Sequence, residues 1–284
     1  MNISFSDFWD GVTPESNFFS DLLKSIYPNC KVVPFSNEHT DVLIYSCFGH
    51  DHHTADRSKV KKIFYTGENK RPNYNECDYS LTFDFSDYGG RNIRLPLWML
   101  QIDWFGKVNY GNPKFVIPPS ELRESRYSTR PKTEFCCIVF NNPIPNRVEV
   151  IQKLSKYKDV HCYGALPGKQ IGYGEDIKLD IISNYKFNIC FENGVHPGYY
   201  TEKLIHAKIA RCLPLYWADE QCEQDFNTKS FLNFNDFKNM DEFVDCVIEL
   251  DKNEEEYNYI SSQYIFEGME PSLDKLKIEL GKIL

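Results

Sequence analysis

A chain of 284 residues exceeds one typical domain and lies within reach of two. Hydrophobic residues at 42% and charged residues at 26% are ordinary globular proportions that argue against wholesale disorder, and 15 Gly with 15 Pro show no collagen period. With 32 Lys and Arg against 41 Asp and Glu the net charge is −9, which argues against nucleic acid as a partner, although a local basic pocket is invisible in that sum. The 10 cysteines form no Cys-x-x-Cys pair and several lie in apolar runs, a pattern of reduced, buried thiols in a cytosolic protein. Asp7 and Asp10 stand where a secretion signal needs basic and then apolar residues, and no apolar stretch approaches membrane-spanning length. The expectation is a cytoplasmic protein, or one peripheral at a membrane, with no integral span.

In chain order, residues 3–5 read as a strand. Residues 14–27 read as a helix with Thr13 as N-cap and an apolar face of Phe18, Leu22 and Ile26, widened by Phe19 and Leu23. Residues 32–35, 42–45, 62–65 and 79–83 are short runs suited to buried parallel strands, with Pro34 arguing against a central place for the first. Residues 98–105 fit no single period. A polar, proline-bounded segment, residues 117–132, is read as an interdomain linker.

The second half predicts strands at 135–140, 160–163, 187–191 and 212–217, the last weakened by Pro214. Helices are predicted at 147–157, 177–185 and 202–211, then from Asp241 as N-cap to Leu250, and again from Glu254. Such alternation predicts an α/β fold of mostly parallel sheets, in which ligands bind beyond the carboxyl ends of the strands.

Three places carry candidate chemistry. Phe191-Glu192-Asn193-Gly194-Val195-His196-Pro197-Gly198-Tyr199-Tyr200-Thr201-Glu202-Lys203 joins a strand end to a helix start, where unpaired N–H groups favour an anion. Lys203 opposes the helix dipole there, a conflict a bound phosphate relieves; the alternative is a solvated lysine beside Glu202. Arg147 opens a helix after the first strand of the same half, so it is either the second arm of a diphosphate clamp or a surface arginine. Glu68, in Phe64-Tyr65-Thr66-Gly67-Glu68-Asn69, follows a strand end and is either a proton acceptor for a hydroxyl or a solvated loop carboxylate. His50, His52 and His53 with Asp51 and Asp56 suggest a metal cluster, but so dense a run seldom converges on one ion and reads as a solvated loop. Neither a dinucleotide nor a P-loop glycine motif occurs.

Tyr185-Lys186-Phe187-Asn188-Ile189-Cys190-Phe191-Glu192-Asn193 and Gly198-Tyr199-Tyr200-Thr201-Glu202-Lys203 resemble the strongest signature of the α-1,3/1,4-fucosyltransferases, particularly the bacterial members. The likeness continues through Leu213-Pro214-Leu215-Tyr216-Trp217, Asp225-Phe226-Asn227 and Ser230-Phe231. In the first half, residues 64–69, Pro72-Asn73-Tyr74, Cys77-Asp78-Tyr79 and Arg94-Leu95-Pro96 are similar to the bacterial pattern. The resemblance implies a GT-B glycosyltransferase, with two Rossmann-like domains facing across a cleft. It places an acceptor-side domain at 1–125 and a GDP-fucose-binding domain at 133–284, whose last helix is a candidate to return to the first domain.

It further implies inverting transfer of L-fucose from GDP-β-L-fucose to the 3-OH of GlcNAc in an N-acetyllactosamine-type glycan. Under it, Arg147 and Lys203 resemble the diphosphate binders, Asn193 and Tyr199 donor-site neighbours, Glu202 the carboxylate at the donor hydroxyls and Glu68 the general base. With no Asp-x-Asp in the chain, a metal-independent donor site without a further cofactor is expected. The sequence departs from the pattern at Gly194–Pro197, at Tyr200 in place of a small aliphatic residue, and at Ala218 in place of glycine. It shows no heptad repeats and no basic amphipathic tail, so repeat-mediated dimerisation and tail-mediated membrane attachment lose their usual sequence support. A GT-B enzyme with another sugar nucleotide and a non-catalytic glycan-binding module remain the alternatives.

Overall fold

Short apolar runs become the strands of two parallel sheets. The computed structural model describes residues 1–164, 169–172 and 174–284. The chain divides into two units, Met1–Val116 with Ser272–Leu284, and Ile117–Pro271.

The first unit holds β1 (Asn2–Ser6), β2 (Lys31–Val32), β3 (Val42–Tyr45), β4 (Lys61–Tyr65), β5 (Tyr79–Thr82) and β6 (Asn92–Arg94). They form a six-stranded sheet in the order β2-β1-β3-β4-β5-β6, every pair parallel. All four residues of β3 are buried, as a strand covered on both faces requires. The strand expected around Pro34 is the edge strand β2, and it ends before the proline.

Helix α1 spans Phe18–Ile26 and starts four residues later than expected, because Asn17 and not Thr13 caps it. The Asn17 side chain accepts from Ser20 N–H at 2.9 Å while Ser20 Oγ accepts from Asn17 N–H at 3.2 Å, a reciprocal capping box. Phe18, Phe19, Leu22 and Leu23 are its buried face. Leu97–Gln101 is a 3₁₀ turn, whose three-residue period explains the missing helical or strand pattern nearby.

The second unit begins with α2 (Pro119–Arg123), followed by β7 (Glu134–Val139), α3 (Pro145–Leu154), β8 (Val160–Tyr163), α4 (Glu175–Ile182), β9 (Tyr185–Ile189) and α5 (Glu202–Ile209). After these come β10 (Leu213–Tyr216), β11 (Leu232–Asn233), α6 (Met240–Lys252) and α7 (Glu254–Ser262). The five strands pair in parallel in the order β11-β10-β9-β7-β8, over a core that includes Phe187, Phe191 and Phe243. Pro214 sits inside this sheet. Leu215 turns its carbonyl to Cys190 beside β9, so Pro214 faces the β11 side, where pairing starts only at Leu215. Asn239 rather than Asp241 caps α6, accepting from Glu242 N–H.

The segment read as a linker is instead packed: Ser125 and Tyr127 are buried, Ser125 Oγ donates to Ile209 O, and Arg211 donates to Arg123 O at 2.6 Å. The chain therefore leaves the first unit at Ile117, ahead of the expected 125. It re-enters at Ser272 through α8 (Asp274–Ile283), where Tyr27 OH donates to Gly281 O at 3.1 Å and Lys61 Nζ to Ile283 O. All 10 cysteines are free thiols. Among the described residues no helix is long and apolar enough to cross a membrane.

Candidate functional site

In the second unit, β7 and β9 are neighbours, and the chain beyond their carboxyl ends carries Arg147 and residues 192–203. Arg147 lies in the first turn of α3, which Pro145 opens, and its side chain turns inward until only 2% of the residue is exposed. Its Nε donates to Phe191 O at 3.1 Å and its Nη2 to the same carbonyl. Nη1 donates to Asn142 O at 2.9 Å and to Asn193 Oδ1 at 3.0 Å. A surface role is thereby excluded. Burial draws the guanidinium pKa down, against Glu192, Tyr199 and Glu202 pushing it up. All four of these bonds go to neutral acceptors, so among the described residues this buried cation has no carboxylate in direct contact, an arrangement that suits an incoming anion.

Lys203 lines the same small pocket as Arg147. Its Nζ donates to Glu192 Oε2 and to Thr201 Oγ1, each at 2.9 Å. Glu192 is fully buried, and it also accepts from Thr201 N–H at 2.9 Å, Thr201 Oγ–H at 2.8 Å and Tyr216 OH at 3.1 Å. The conflict between Lys203 and the helix dipole thus has an internal solution: the anion at the start of α5 is the chain's own Glu192. Burial alone would lower the Lys203 pKa; the Glu192 and Glu202 carboxylates outweigh it and hold the ammonium above the ordinary lysine range.

A third cation, Lys178 of α4, lines this pocket and lies 3.5 Å from Glu202 Oε1. Burial would raise the Glu202 pKa, but Lys203, Lys178 and His206 hold it well below the usual carboxylate range. His206, one turn further along α5, is 1% exposed and neither ring nitrogen has a hydrogen-bond partner among the described residues. Burial, and then Lys178, push its pKa down to about 3, so it is neutral. Tyr199 is buried beside this group and acts electrostatically on both Arg147 and Lys203.

The five C-terminal residues singled out from sequence therefore gather in one neighbourhood: Arg147 bonds Asn193 and shares a pocket with Lys203, and Tyr199 and Glu202 lie close enough to act electrostatically on both cations. Lys178 was not singled out. Its signal was a lysine four residues before buried Ile182, in register with the inner face of α4. Glu192 was quoted without a role, although a carboxylate directly after a buried apolar strand demands partners.

Other signature residues serve packing. Tyr200 donates to Asp219 at 3.1 Å and stacks edge-on with Phe226. Asn233 clasps Ala218 through both its N–H and its carbonyl. Lys208 is buried with Nζ on the carbonyls of Ser230 and Ser261, and burial draws its pKa down to about 7.

In the first unit, Glu68 follows the carboxyl end of β4. Its N–H donates to Thr66 Oγ1 at 2.9 Å, and a Cβ on Gly67 would meet Leu97 at 3.0 Å, so the turn is held from both sides. The Glu68 carboxylate is half-buried and forms no hydrogen bond or ion pair among the described residues. The histidine run departs from a solvated loop: His52 is buried, stacked on Tyr45 and bonded to Asp7.

Two parallel α/β units, one with its cations gathered at strand ends, define the GT-B-like class of glycosyltransferase folds. Residues 3–101 match the family model described as the alpha-(1,3)-fucosyltransferase FucT N-terminal domain, and residues 129–264 match glycosyltransferase family 10 (fucosyltransferase), C-terminal. The chain belongs to this family of fucosyltransferases. It is 32% identical over 232 residues to the alpha-(1,3)-fucosyltransferase FucT of Helicobacter pylori, covering 74% of this chain and 48% of that protein. The chain thus spans about half the length of that curated relative. Among solved structures, an alpha1,3-fucosyltransferase with GDP-fucose is 25% identical with a TM-score of 0.66, over 96% of this chain and 83% of that one. The same kind of enzyme with GDP is 25% identical with a TM-score of 0.69, over 99% and 89%.

Proposed function

We propose that this chain transfers L-fucose from GDP-β-L-fucose, with inversion, to the 3-OH of GlcNAc in an N-acetyllactosamine-type glycan. The observation that carries the reading is the meeting of Arg147, Lys178 and Lys203 in one pocket at the strand ends of the second unit. Family membership and the likeness to fucosyltransferase structures titled with GDP-fucose and GDP support the choice of donor.

In this reading the diphosphate lies against Arg147 and Lys203, with Asn193 and Tyr199 beside it and Glu202 at the donor sugar's hydroxyls. As the glycosidic bond to GDP breaks, negative charge grows on the β-phosphate. Cations already fixed by Phe191 O and Glu192 need little reorganisation to stabilise it. Glu68 takes the proton of the attacking acceptor hydroxyl, a task suited to a carboxylate with no competing partner among the described residues. The cationic side chains stand in for a metal at the phosphates, so the donor site is proposed to be metal-independent. Free, mostly buried thiols support a cytoplasmic location.

Mass spectrometry of reactions with GDP-fucose and a panel of glycan acceptors, with Mg²⁺ or Mn²⁺ added or omitted, tests the proposal. A fucosylated N-acetyllactosamine formed equally in both conditions is expected. Turnover with GDP-mannose and none with GDP-fucose would overturn the donor assignment, and donor binding without transfer would make the chain a binding module.

A further inference from the structure

The histidine run of the first unit brings only two of its imidazoles to one point, and the third group comes from a different segment. His52 Nε2 and His53 Nε2 each lie 3.6 Å from the same Glu76 carboxylate oxygen, and all three donor atoms fall within 4.8 Å of one another. That distance is too long for a hydrogen bond. It is close to the roughly 3.3 Å that separates two ligand atoms each about 2.0–2.1 Å from a tetrahedral zinc ion.

The surroundings are built as a ligand set requires. The Asp7 carboxylate is buried and accepts from the main-chain N–H groups of Asp51 and His52, each at 2.9 Å, and from Ser6 Oγ. The fourth bond to this carboxylate comes from His52 Nδ1 at 2.7 Å, which places the proton on Nδ1 and leaves the Nε2 lone pair facing Glu76. An imidazole oriented by a carboxylate behind it is the usual support of a metal-bound histidine. The second Glu76 oxygen is held by Asn73 Nδ2 at 2.8 Å, and Tyr45 stacks on the His52 ring at 4.1 Å. His53 and Glu76 are half-exposed, so an ion has a path in and room for a water ligand. His50, Asp51 and Asp56 do not join the group; Asp51 gives its N–H to Asp7, and the Asp56 carboxylate accepts from Ser58.

We infer that His52, His53 and Glu76 form a binding site for a single divalent ion of the zinc class, supported by Asp7 and Asn73. Two imidazole nitrogens and one carboxylate suit zinc, and disfavour magnesium or calcium, which take oxygen ligands. A bound ion ties the turn at Asp51–Thr54 to the segment carrying Asn73 and Glu76, with the ligands His53 and Glu76 23 positions apart in the sequence. The site uses none of the residues assigned to fucosyl transfer.

The test is calorimetric titration of Zn²⁺ into the chelator-stripped full chain, with Co²⁺ substitution read by absorption. One saturable equivalent is expected, with a cobalt spectrum of nitrogen and oxygen ligands and an upward shift of the thermal midpoint. His53→Ala and Glu76→Gln alter partly exposed side chains, and each should weaken binding by at least about tenfold while the circular dichroism spectrum is kept. Asp7→Asn should weaken it about ten- to a hundredfold. Absence of saturable binding, unchanged affinity in both surface variants, or a thiolate-to-cobalt charge-transfer band would overturn the inference.

Discussion

Replacing Lys203 by alanine removes the ammonium bonded to the buried Glu192 carboxylate and, in the reading proposed here, one arm of the phosphate clamp. Breaking a buried pair from one side costs about 3–5 kcal/mol. Glu192 keeps its bonds from Thr201 N–H, Thr201 Oγ–H and Tyr216 OH, and the Lys203 side chain is 19% exposed, which moves the expected loss to about 2–3 kcal/mol. For a unit of this size that corresponds to roughly 5–10 °C in thermal midpoint. Losing a charge-assisted bond to phosphate costs about 1.5–3 kcal/mol, or roughly ten- to a hundredfold in GDP affinity. The two effects separate in the double variant Lys203→Met with Glu192→Gln, where neither member of this ion pair keeps a charge. Thermal denaturation should then return close to the parent while calorimetric GDP affinity stays low. A double variant that binds GDP as tightly as the parent would refute the phosphate role and leave Lys203 only as the partner of Glu192.

Glu68→Gln should lower transfer by about 10²–10⁴-fold, measured with GDP-fucose and N-acetyllactosamine, and leave GDP affinity close to the parent. Arg147→Lys loses the paired donation to Phe191 O and should cost about 2–4 kcal/mol in urea unfolding, with weaker GDP binding in calorimetry. His206 gives a pH dependence of known sign. Its pKa falls from 6.5 to about 3 on folding, so between these values the unfolded chain holds the extra proton and stability drops as pH falls. His206→Met should flatten the decline of the urea midpoint on going from pH 7 to pH 5. The depressed Glu202 carboxylate adds a further decline only below its ordinary range near 4.5, which this variant should retain.

The buried strands were legible because their physics is local: Val42 to Tyr45 is an unbroken apolar run, and all of it is buried. Arg147 and Lys203 were legible from their places just beyond strand ends. What holds them was not. Lys203 reaches Glu192 across an irregular loop, and Lys178 meets Glu202 only because α4 and α5 pack together, contacts that no spacing rule encodes. Helix starts moved where two residues compete to cap: Asn17 displaced Thr13 because Ser20 returns its hydrogen bond. The polar composition of residues 117–132 suggested a tether, yet Ser125 and Tyr127 are buried, since a few well-placed groups suffice to dock a polar segment. His52 was set aside with its neighbours because the carboxylate that fixes its ring, Asp7, lies 45 positions earlier.

The return of α8 to the first unit makes that unit discontinuous in sequence, with all of Ile117–Pro271 inserted between its parts. During synthesis the inserted unit emerges whole and can fold while its predecessor still waits for the closing helix. Until then Tyr27 and Lys61 lack the carbonyls of Gly281 and Ile283. The half of the molecule made first is therefore the half finished last, and a chain cut between Pro271 and α8 would carry one complete lobe and one unsealed one.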